Sequence, residues 1–203
     1  MLQKKLIQNL NNILFKRNYY IFILIISSFF FTFYYGFIGI FPIDSFLIYD
    51  AGYKLLNGYH PFRDYWSITG PILDYIQFVF FKLFGINWFS YVLHAAVLNL
   101  FITLTFFYFF IHLGIKTSYS FLYSVSASIL AYPSVGTPFM DHHAVIFSLA
   151  SGIFLFLAFL KDKPIYWFLV PVFLFASFLS KQIPSAYLLL LFFFIYSYIL
   201  DFF

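Results

Sequence analysis

The sequence has no cysteine and no glutamate, and only 9% of its 203 residues are charged. The absence of cysteine excludes a disulfide scaffold. Soluble domains carry about 25% charged residues, so this chain has too few charges to cover a water-facing surface. Disorder requires low hydrophobicity, whereas 64% of these residues are hydrophobic and 28% are aromatic. The class that remains is an integral membrane protein.

Long apolar runs predict how the chain crosses the membrane. A helix needs about 20 apolar residues to span the hydrocarbon core, within a range of about 17–25. Unbroken runs favour helices over barrel strands, in which polar residues would alternate with apolar ones. The candidate spans are 19–40, 88–113, 119–135, 144–160, 164–179 and 184–200. We therefore predict an all-α, polytopic transmembrane helical bundle of about six spans, forming a single domain over residues 1–203.

Two segments outside these spans have helical patterns of their own. In residues 1–17, leucine and isoleucine recur at helical spacing between Lys and Asn, which predicts an amphipathic segment on the cytoplasmic surface. Residues 71–84 form a run that is too short and too polar to span, because it includes Asp74 and Gln77. We expect an interfacial or re-entrant helix there, within a loop of residues 41–87.

The distribution of basic residues predicts the orientation. With the N-terminus inside, seven basic residues lie in cytoplasmic segments and four lie outside. This excess supports a cytoplasmic N-terminus by the positive-inside rule. The loop 41–87 and the cluster 136–143 would then face the periplasmic or extracellular side of the plasma (inner) membrane. The basic residues are scattered and form no stripe, which excludes nucleic acid as a partner.

Asp44 follows the first span directly. Its carboxylate could act as a general base or bind a cation. The alternative is structural: Asp44 would cap a helix that starts at Ser45 and ends at Leu56, before Asn57 and Gly58.

The loop segment 58–71 is dense in aromatic, charged and turn residues. The Arg63 guanidinium matches the geometry of phosphate oxygens, although Arg63 and Asp64 could simply form a surface ion pair. Tyr65 is a second candidate substrate-binding residue, and its alternative role is in the aromatic belt at the membrane boundary.

Asp141, His142 and His143 follow one another where the fourth span begins. Carboxylate and imidazole groups are ligands for a divalent metal ion, which makes such an ion a candidate cofactor bound by Asp141 and His143. Adjacent side chains on a helix diverge by about 100°, so at most one histidine would share a target with Asp141. The alternative is again a helix cap by Asp141.

Lys181 and Gln182 lie at the outer end of the fifth span. Lys181 could bind a lipid-linked phosphate, or it could be a snorkelling lysine at a helix end. Within the second span, His94 and Asn99 are expected to hydrogen-bond neighbouring helices. The topology places Asp44, Arg63, Asp141, His142 and Lys181 on one face, which predicts a site for a phosphorylated substrate presented from the outer leaflet.

The stretch from Asp44 to Asn99, and especially YDAGYKLLNGYHPFRDYWSITGPILDYIQFVFFKLFG at 49–85, resembles the N-terminal part of polytopic fold-type-C glycosyltransferases. These include the dolichyl-phosphate-mannose protein mannosyltransferases and their aminoarabinose-transferring bacterial relatives. The shared pattern is a first span, an acidic residue, an amphipathic loop helix, a Pro-led interfacial helix ending in Phe-Gly, and a second span.

The resemblance implies an inverting transferase that uses a polyprenyl-phosphate-linked sugar donor. Asp44 would be the catalytic carboxylate and candidate general base, and Asp141, in the second acidic motif, would be the second catalytic residue. Lys181 and Arg63 would bind the donor phosphate, with Tyr65, Gln182 and His142 as further substrate-binding residues. Many relatives have Asp-Glu where this chain has Asp44 and Ser45.

Relatives of this kind usually have more than six spans, so we expect this chain to be the N-terminal part of a longer transferase. Two other functions stay open. A non-catalytic fragment or partner subunit would obtain its missing spans from another chain. A transporter would place ionisable groups near the membrane midplane and show internal repeats, whereas here the charges gather at one face. Membrane lipids are partners in every case.

Overall fold

A computed structural model describes residues 2–39, 44–131 and 136–200 of the chain. These residues form a short 3₁₀ helix, Asp44–Phe46, and no named β-strand. The α-helices are α1 (Leu2–Ile38), α2 (Leu47–Leu56), α3 (Ile72–Phe84), α4 (Trp88–His112), α5 (Thr117–Leu130), α6 (Met140–Lys161), α7 (Pro164–Ser180) and α8 (Gln182–Leu200). The predicted all-α class is confirmed for this part of the chain.

Three of these helices are long and apolar enough to cross a membrane. They are Phe15–Ile38 within α1, the whole of α4 and the whole of α6, searched among the described residues. The prediction of a helical membrane protein is therefore confirmed. Pro164–Ser180 and Gln182–Phe194 are shorter apolar helices, and six crossings stay a prediction. The predicted span 119–135 overlaps α5, and its last four residues lie outside the described ranges.

Helix α1 joins two segments that the sequence separates. Its 37 residues run without a break through residues 2–17 and the first span. At about 1.5 Å per residue, such a helix is about 55 Å long, which exceeds the hydrocarbon core of about 30 Å. The amphipathic segment thus extends the first span in this structure, and no turn separates it from the span.

Helix α4 lies against α1 and α5, and one buried asparagine links all three. Asn99 Nδ2 donates to Thr32 Oγ1 at 2.8 Å and to the Ser28 carbonyl at 3.3 Å, both on α1. It also lies 2.9 Å from the Ser128 carbonyl on α5. Lipid supplies no hydrophobic driving force between helices, so interhelical hydrogen bonds and close packing hold them together. The expected interhelical role of Asn99 is confirmed.

Helices α6 and α7 form an antiparallel pair joined by serines. Ser177 Oγ donates to the Ala144 carbonyl at 2.8 Å and lies 2.7 Å from Ser148 Oγ. Farther along the pair, Ser151 Oγ donates to the Val170 carbonyl at 2.9 Å. Small side chains of this kind let two backbones approach closely in a membrane.

A buried apolar cluster connects α4 to α6, through Ala95, Leu98, Ile102, Ile146 and Phe147. This contact fixes the start of α6 beside the first half of α4. The end of the bundle at which α1 ends and α4 and α6 begin is called the loop end below.

Two short helices, α2 and α3, pack together at the loop end. A Cβ added at Gly52 of α2 would lie 2.7 Å from Gln77 Cγ, so α3 approaches α2 at a point where only glycine fits. Ile48, Leu73 and Tyr91 form a buried cluster that attaches both helices to α4. Helix α3 ends at Gly85, whose φ of 81° suits glycine. The predicted helix at 71–84 is confirmed in position.

Candidate functional site

Asp44 begins the 3₁₀ helix at the loop end and is half-buried. The capping alternative is wrong, because α2 begins at Leu47 and its N-cap is Phe46, with no side-chain cap bond. The intervening 3₁₀ turn moves Asp44 away from the capping position. Within the described residues, no hydrogen bond or ion pair joins Asp44 to Asp141 or Lys181. Its role as a base stays a prediction.

Arg63 holds a turn of the loop together. Its Nη2 atom lies 2.7 Å from Asp64 Oδ2 and donates to the Gly58 carbonyl at 3.1 Å. The backbone N–H of His60 donates to the same Asp64 oxygen at 2.8 Å. Hydrogen bonds from the Arg63 side chain and then from His60 lower the pKa of the Asp64 carboxyl. The ion pair weighed from the sequence is present, and phosphate binding by Arg63 stays a prediction.

Asp141 and Lys181 are brought into contact, although 40 residues separate them. Asp141 lies in the first turn of α6, where the helix dipole favours a carboxylate. Its cap alternative is wrong, since the N-cap is Phe139. Lys181 is the single residue between α7 and α8, in extended conformation, and its Nζ donates to Asp141 Oδ1. Gln182 is exposed at the first position of α8.

A largely apolar groove begins at Asp141 of this ion pair. It runs between α5 and α6 over the surface of α4, has a volume of about 500 Å³, and includes Asp141 and His142 at its loop end. Its other walls are mainly apolar, and include Ile102, Phe106, Phe110, Leu130 and Leu149. From Asp141 to Leu149 the groove follows α6 for about 12 Å. We name it the α5–α6 groove.

His143 faces away from this groove and is fully buried. Its Nε2 atom lies 3.0 Å from His94 Nε2 on α4, and its Nδ1 atom lies 2.9 Å from the Phe139 carbonyl. The expectation that His94 bonds neighbouring helices is confirmed, because His94 Nδ1 also lies 2.9 Å from Gln77 Oε1 on α3.

The metal-binding prediction for Asp141 and His143 finds no shared site in this geometry. The two side chains have different partners, Lys181 and His94. Among the described residues, no group of three or more histidine or acidic residues could hold a metal ion. The prediction stays untested, and no step below uses a metal.

A second polar site lies at the loop end, in a cleft between α2, the loop and α3. The cleft has a volume of about 110 Å³. Its polar lining consists of Asp50, Lys54, Tyr65, Ser67, Thr69 and Asp74. We name it the Asp74 cleft. Tyr65 was predicted from the sequence as a binding residue, whereas Asp74 entered that argument only as a reason why residues 71–84 cannot span.

Asp74 is the least exposed carboxylate of the cleft, with 6% of its surface accessible. Tyr65 Oη donates to Asp74 Oδ2 at 3.0 Å. Burial raises the pKa of the Asp74 carboxyl to about 6, against the opposing effects of the Tyr65 hydrogen bond and the charge of Lys54. Desolvation likewise raises the pKa of the Tyr65 phenol, followed by the nearby charge of Asp74. Asp74 therefore changes charge close to neutral pH.

The cleft and the groove are lined by consecutive residues at one point of the chain. Met140 lines the cleft, and the next residue, Asp141, lines the groove. Thr69 also lines the cleft, and a Cβ on the following Gly70 would lie 1.8 Å from the carbonyl oxygen of Leu179, two residues before Lys181. The loop thus packs against the backbone that carries the cation, and the two sites are neighbours.

No family model, curated protein or solved structure matches the chain.

Proposed function

We propose that the chain is a membrane glycosyltransferase, or the N-terminal part of one, that takes a sugar from a polyprenyl-phosphate-linked donor. The observation that carries this proposal is the α5–α6 groove, which is mainly apolar, with Tyr123 and Ser126 in its wall, and has Asp141 and His142 at its loop end. An isoprenoid chain has the apolar character of the groove walls. Its phosphate would lie at the loop end, beside Lys181.

Lys181 is the cation assigned to the phosphate. In the structure its ammonium contacts Asp141, and both side chains are partly exposed, at 31% and 44%. An exposed pair of this kind contributes little to stability, so the lysine can exchange one anionic partner for another at low cost. Asp141 then holds the ammonium at the mouth of the groove while no phosphate is bound.

The reaction proposed is a single displacement. The acceptor hydroxyl oxygen attacks the anomeric carbon, the bond from that carbon to the phosphate oxygen breaks, and the polyprenyl phosphate leaves with the electron pair. Attack from the opposite side inverts the anomeric configuration. Asp44 takes the hydroxyl proton as general base, a role carried over from the sequence resemblance. The loop end would face the periplasm or the extracellular space.

The donor site is tested by lipid binding. The purified chain, in phosphatidylcholine nanodiscs, is titrated with undecaprenyl phosphate and with undecaprenol, and bound lipid is counted by native mass spectrometry. We expect at least about tenfold preference for the phosphate, which Lys181→Gln removes. Lys161→Gln, at the opposite end of α6, is the matched control and keeps the preference. Equal binding of both lipids, or a preference that survives Lys181→Gln, would overturn the donor site.

The base is tested separately, by sugar transfer from a polyprenyl-phosphate-linked donor. Asp44→Asn should bind undecaprenyl phosphate normally and transfer no sugar. Normal transfer by this variant would show that Asp44 is not the base, while leaving the donor site intact.

A further inference from the structure

The Asp74 cleft has no part in donor binding as proposed above. It is a small concave site with a buried carboxylate, two hydroxyl side chains, a phenol and an ammonium group. Its volume of about 110 Å³ is well above the roughly 10–15 Å³ that one water molecule needs. A cleft of this size and polarity fits the hydroxyl-bearing end of a larger molecule.

The charges of the cleft argue against an anion. Asp50 and Asp74 contribute two carboxylates, and Lys54 contributes the one ammonium of the lining. Lys54 Nζ is already 2.7 Å from Asp50 Oδ2 and lies over the Tyr65 ring at 5.1 Å from its centroid. An incoming phosphate would therefore meet two carboxylates and a single ammonium group that is already paired.

The same groups match a hydroxyl. A hydroxyl donates one hydrogen bond and accepts two, so it can donate to the Asp74 carboxylate while it accepts from a neighbouring donor. Tyr65 Oη fixes the Asp74 carboxylate from one side. A hydrogen bond to a charged group in such a partly desolvated place is worth more than one between neutral groups.

We propose that the Asp74 cleft binds a hydroxyl-bearing end of the acceptor, with Asp74 as the hydrogen-bond acceptor and Tyr65 as the residue that orients it. This inference rests on the proposed transferase function. The neighbouring position of the cleft supports it, because Met140 and Thr69 of the cleft are next in sequence to Asp141 and Gly70, and Gly70 packs against Leu179. An acceptor bound here lies beside the headgroup of a donor in the groove.

The test observes Asp74 itself. The chain is labelled with carboxyl-¹³C aspartate in nanodiscs, and Asp74→Asn identifies the Asp74 signal among the seven aspartates. The signal is followed against pH with and without glycerol, a probe small enough for the cleft. A ligand hydroxyl that donates to the ionised carboxylate lowers its pKa. We expect glycerol to lower the Asp74 midpoint from about 6, and to leave the other signals in place.

Further comparisons separate specific binding of glycerol from a general effect of the solvent on the Asp74 midpoint. 1,2-Dimethoxyethane has ether oxygens but no hydroxyl, and should leave the Asp74 midpoint unchanged. Tyr65→Phe should raise the half-saturating glycerol concentration about tenfold, whereas Tyr75→Phe, on the same helix as Asp74 but outside the cleft lining, should not. The acceptor site would be overturned if glycerol left the Asp74 midpoint unchanged, or if ammonium chloride shifted this midpoint in place of glycerol.

The two proposals fail independently. If undecaprenyl phosphate shows no preference over undecaprenol while glycerol still moves Asp74, the transferase is overturned and the cleft remains a hydroxyl-binding site without an acceptor role. If the lipid preference holds and glycerol has no effect, only the acceptor site is overturned.

Discussion

The Nε2 atoms of His94 and His143 lie 3.0 Å apart in the buried centre of the loop end. Two imidazole nitrogens at this distance need one proton between them. His143 Nδ1 donates to the Phe139 carbonyl, so in a neutral pair His143 Nε2 accepts from His94. In this structure His94 Nδ1 lies 2.9 Å from Gln77 Oε1, while Gln77 Nε2 is buried with no partner among the described residues. A half-turn of the Gln77 amide would let Nε2 donate to His94 Nδ1. With that turn, one directed chain of hydrogen bonds links α3, α4 and α6.

The contributions of His94 and His143 to the free energy of unfolding should be coupled. His94→Leu leaves Gln77 and His143 without this partner, at a cost of about 1–3 kcal/mol in the free energy of unfolding. The double variant His94→Leu/His143→Leu should lose less than the sum of the two single losses, because it removes both ends of the contact. Unfolding in detergent micelles measures this cycle. His112→Leu, whose ring bonds only within its own helix, is the control, and strict additivity would contradict the directed chain.

Asn99→Leu should weaken the contacts of α4 with both α1 and α5. The side chain donates to groups on α1 and α5 from its place on α4. Hydrogen bonds between membrane helices average about 0.6 kcal/mol, with a maximum of about 1.7, so we expect a loss of about 1–3 kcal/mol. Thermal unfolding in micelles gives the comparison with Thr105→Val, whose hydroxyl bonds only the Phe101 carbonyl of its own helix. Equal losses in both variants would show that the links across helices contribute nothing extra.

Gly70→Ala should displace the loop from the end of α7. The added Cβ would lie 1.8 Å from the Leu179 carbonyl oxygen, and backbone on both sides leaves no flexible side chain to move. The expected result is faster hydrogen exchange across residues 58–71 and a weaker glycerol response at Asp74. Gly152→Ala, with nothing within 4 Å of its added Cβ, is the matched control. Unchanged exchange in Gly70→Ala would mean that the loop does not need this contact.

Asp74 should make stability depend on pH in a stated direction. Its pKa of about 6 in the folded chain lies above the ordinary aspartate value of about 3.9. The folded state therefore holds the proton more tightly, and the stability that this proton gives is lost as pH rises from about 4 to about 6. Asp74→Asn keeps an oxygen for Tyr65 and removes the buried charge, so it should be more stable than the parent chain at pH 7.5, by about 1–3 kcal/mol.

Thermal unfolding of both chains at pH 4 and pH 7.5 checks this result. The advantage of Asp74→Asn should disappear at the lower pH, where the parent carboxyl is also neutral. Asp50→Asn, in the same cleft but exposed and paired with Lys54, should show no such gain. A constant difference between Asp74→Asn and the parent at both pH values would contradict the raised pKa.

The helices could be predicted from the sequence because their positions depend on local patterns of apolar residues, proline and glycine. Pro71 and Gly85 bound α3 almost where the sequence places that helix, and α4 begins at Trp88 as predicted. Polar residues inside an apolar run must find partners on other helices, which made the roles of His94 and Asn99 predictable. The capping alternatives for Asp44 and Asp141 were wrong, because a cap depends on the residue at which the helix begins, and neither residue holds that position.

The Asp74 cleft could not be read from spacing alone. Asp74 and Gln77 lie three residues apart and so share a face of α3. A polar face of this kind indicates that these side chains contact polar groups. Such a polar face is usually expected to be exposed to water. Here the face is buried, because Gly52 lets α2 approach Gln77 and because Tyr65 covers Asp74.

Composition alone determined that this protein lies in a membrane, since a chain with 9% charged residues cannot form a water-facing surface. The sequence also predicted that Asp44, Arg63, Asp141 and Lys181 lie on one face. Only the tertiary structure decided which polar groups meet: Lys181 with Asp141, His143 with His94, and Tyr65 with Asp74. The physical reason is that local periodicity fixes where each helix lies along the chain, whereas the faces that pack together are fixed by close backbone approaches at Gly52 and Gly70 and by hydrogen bonds between distant segments.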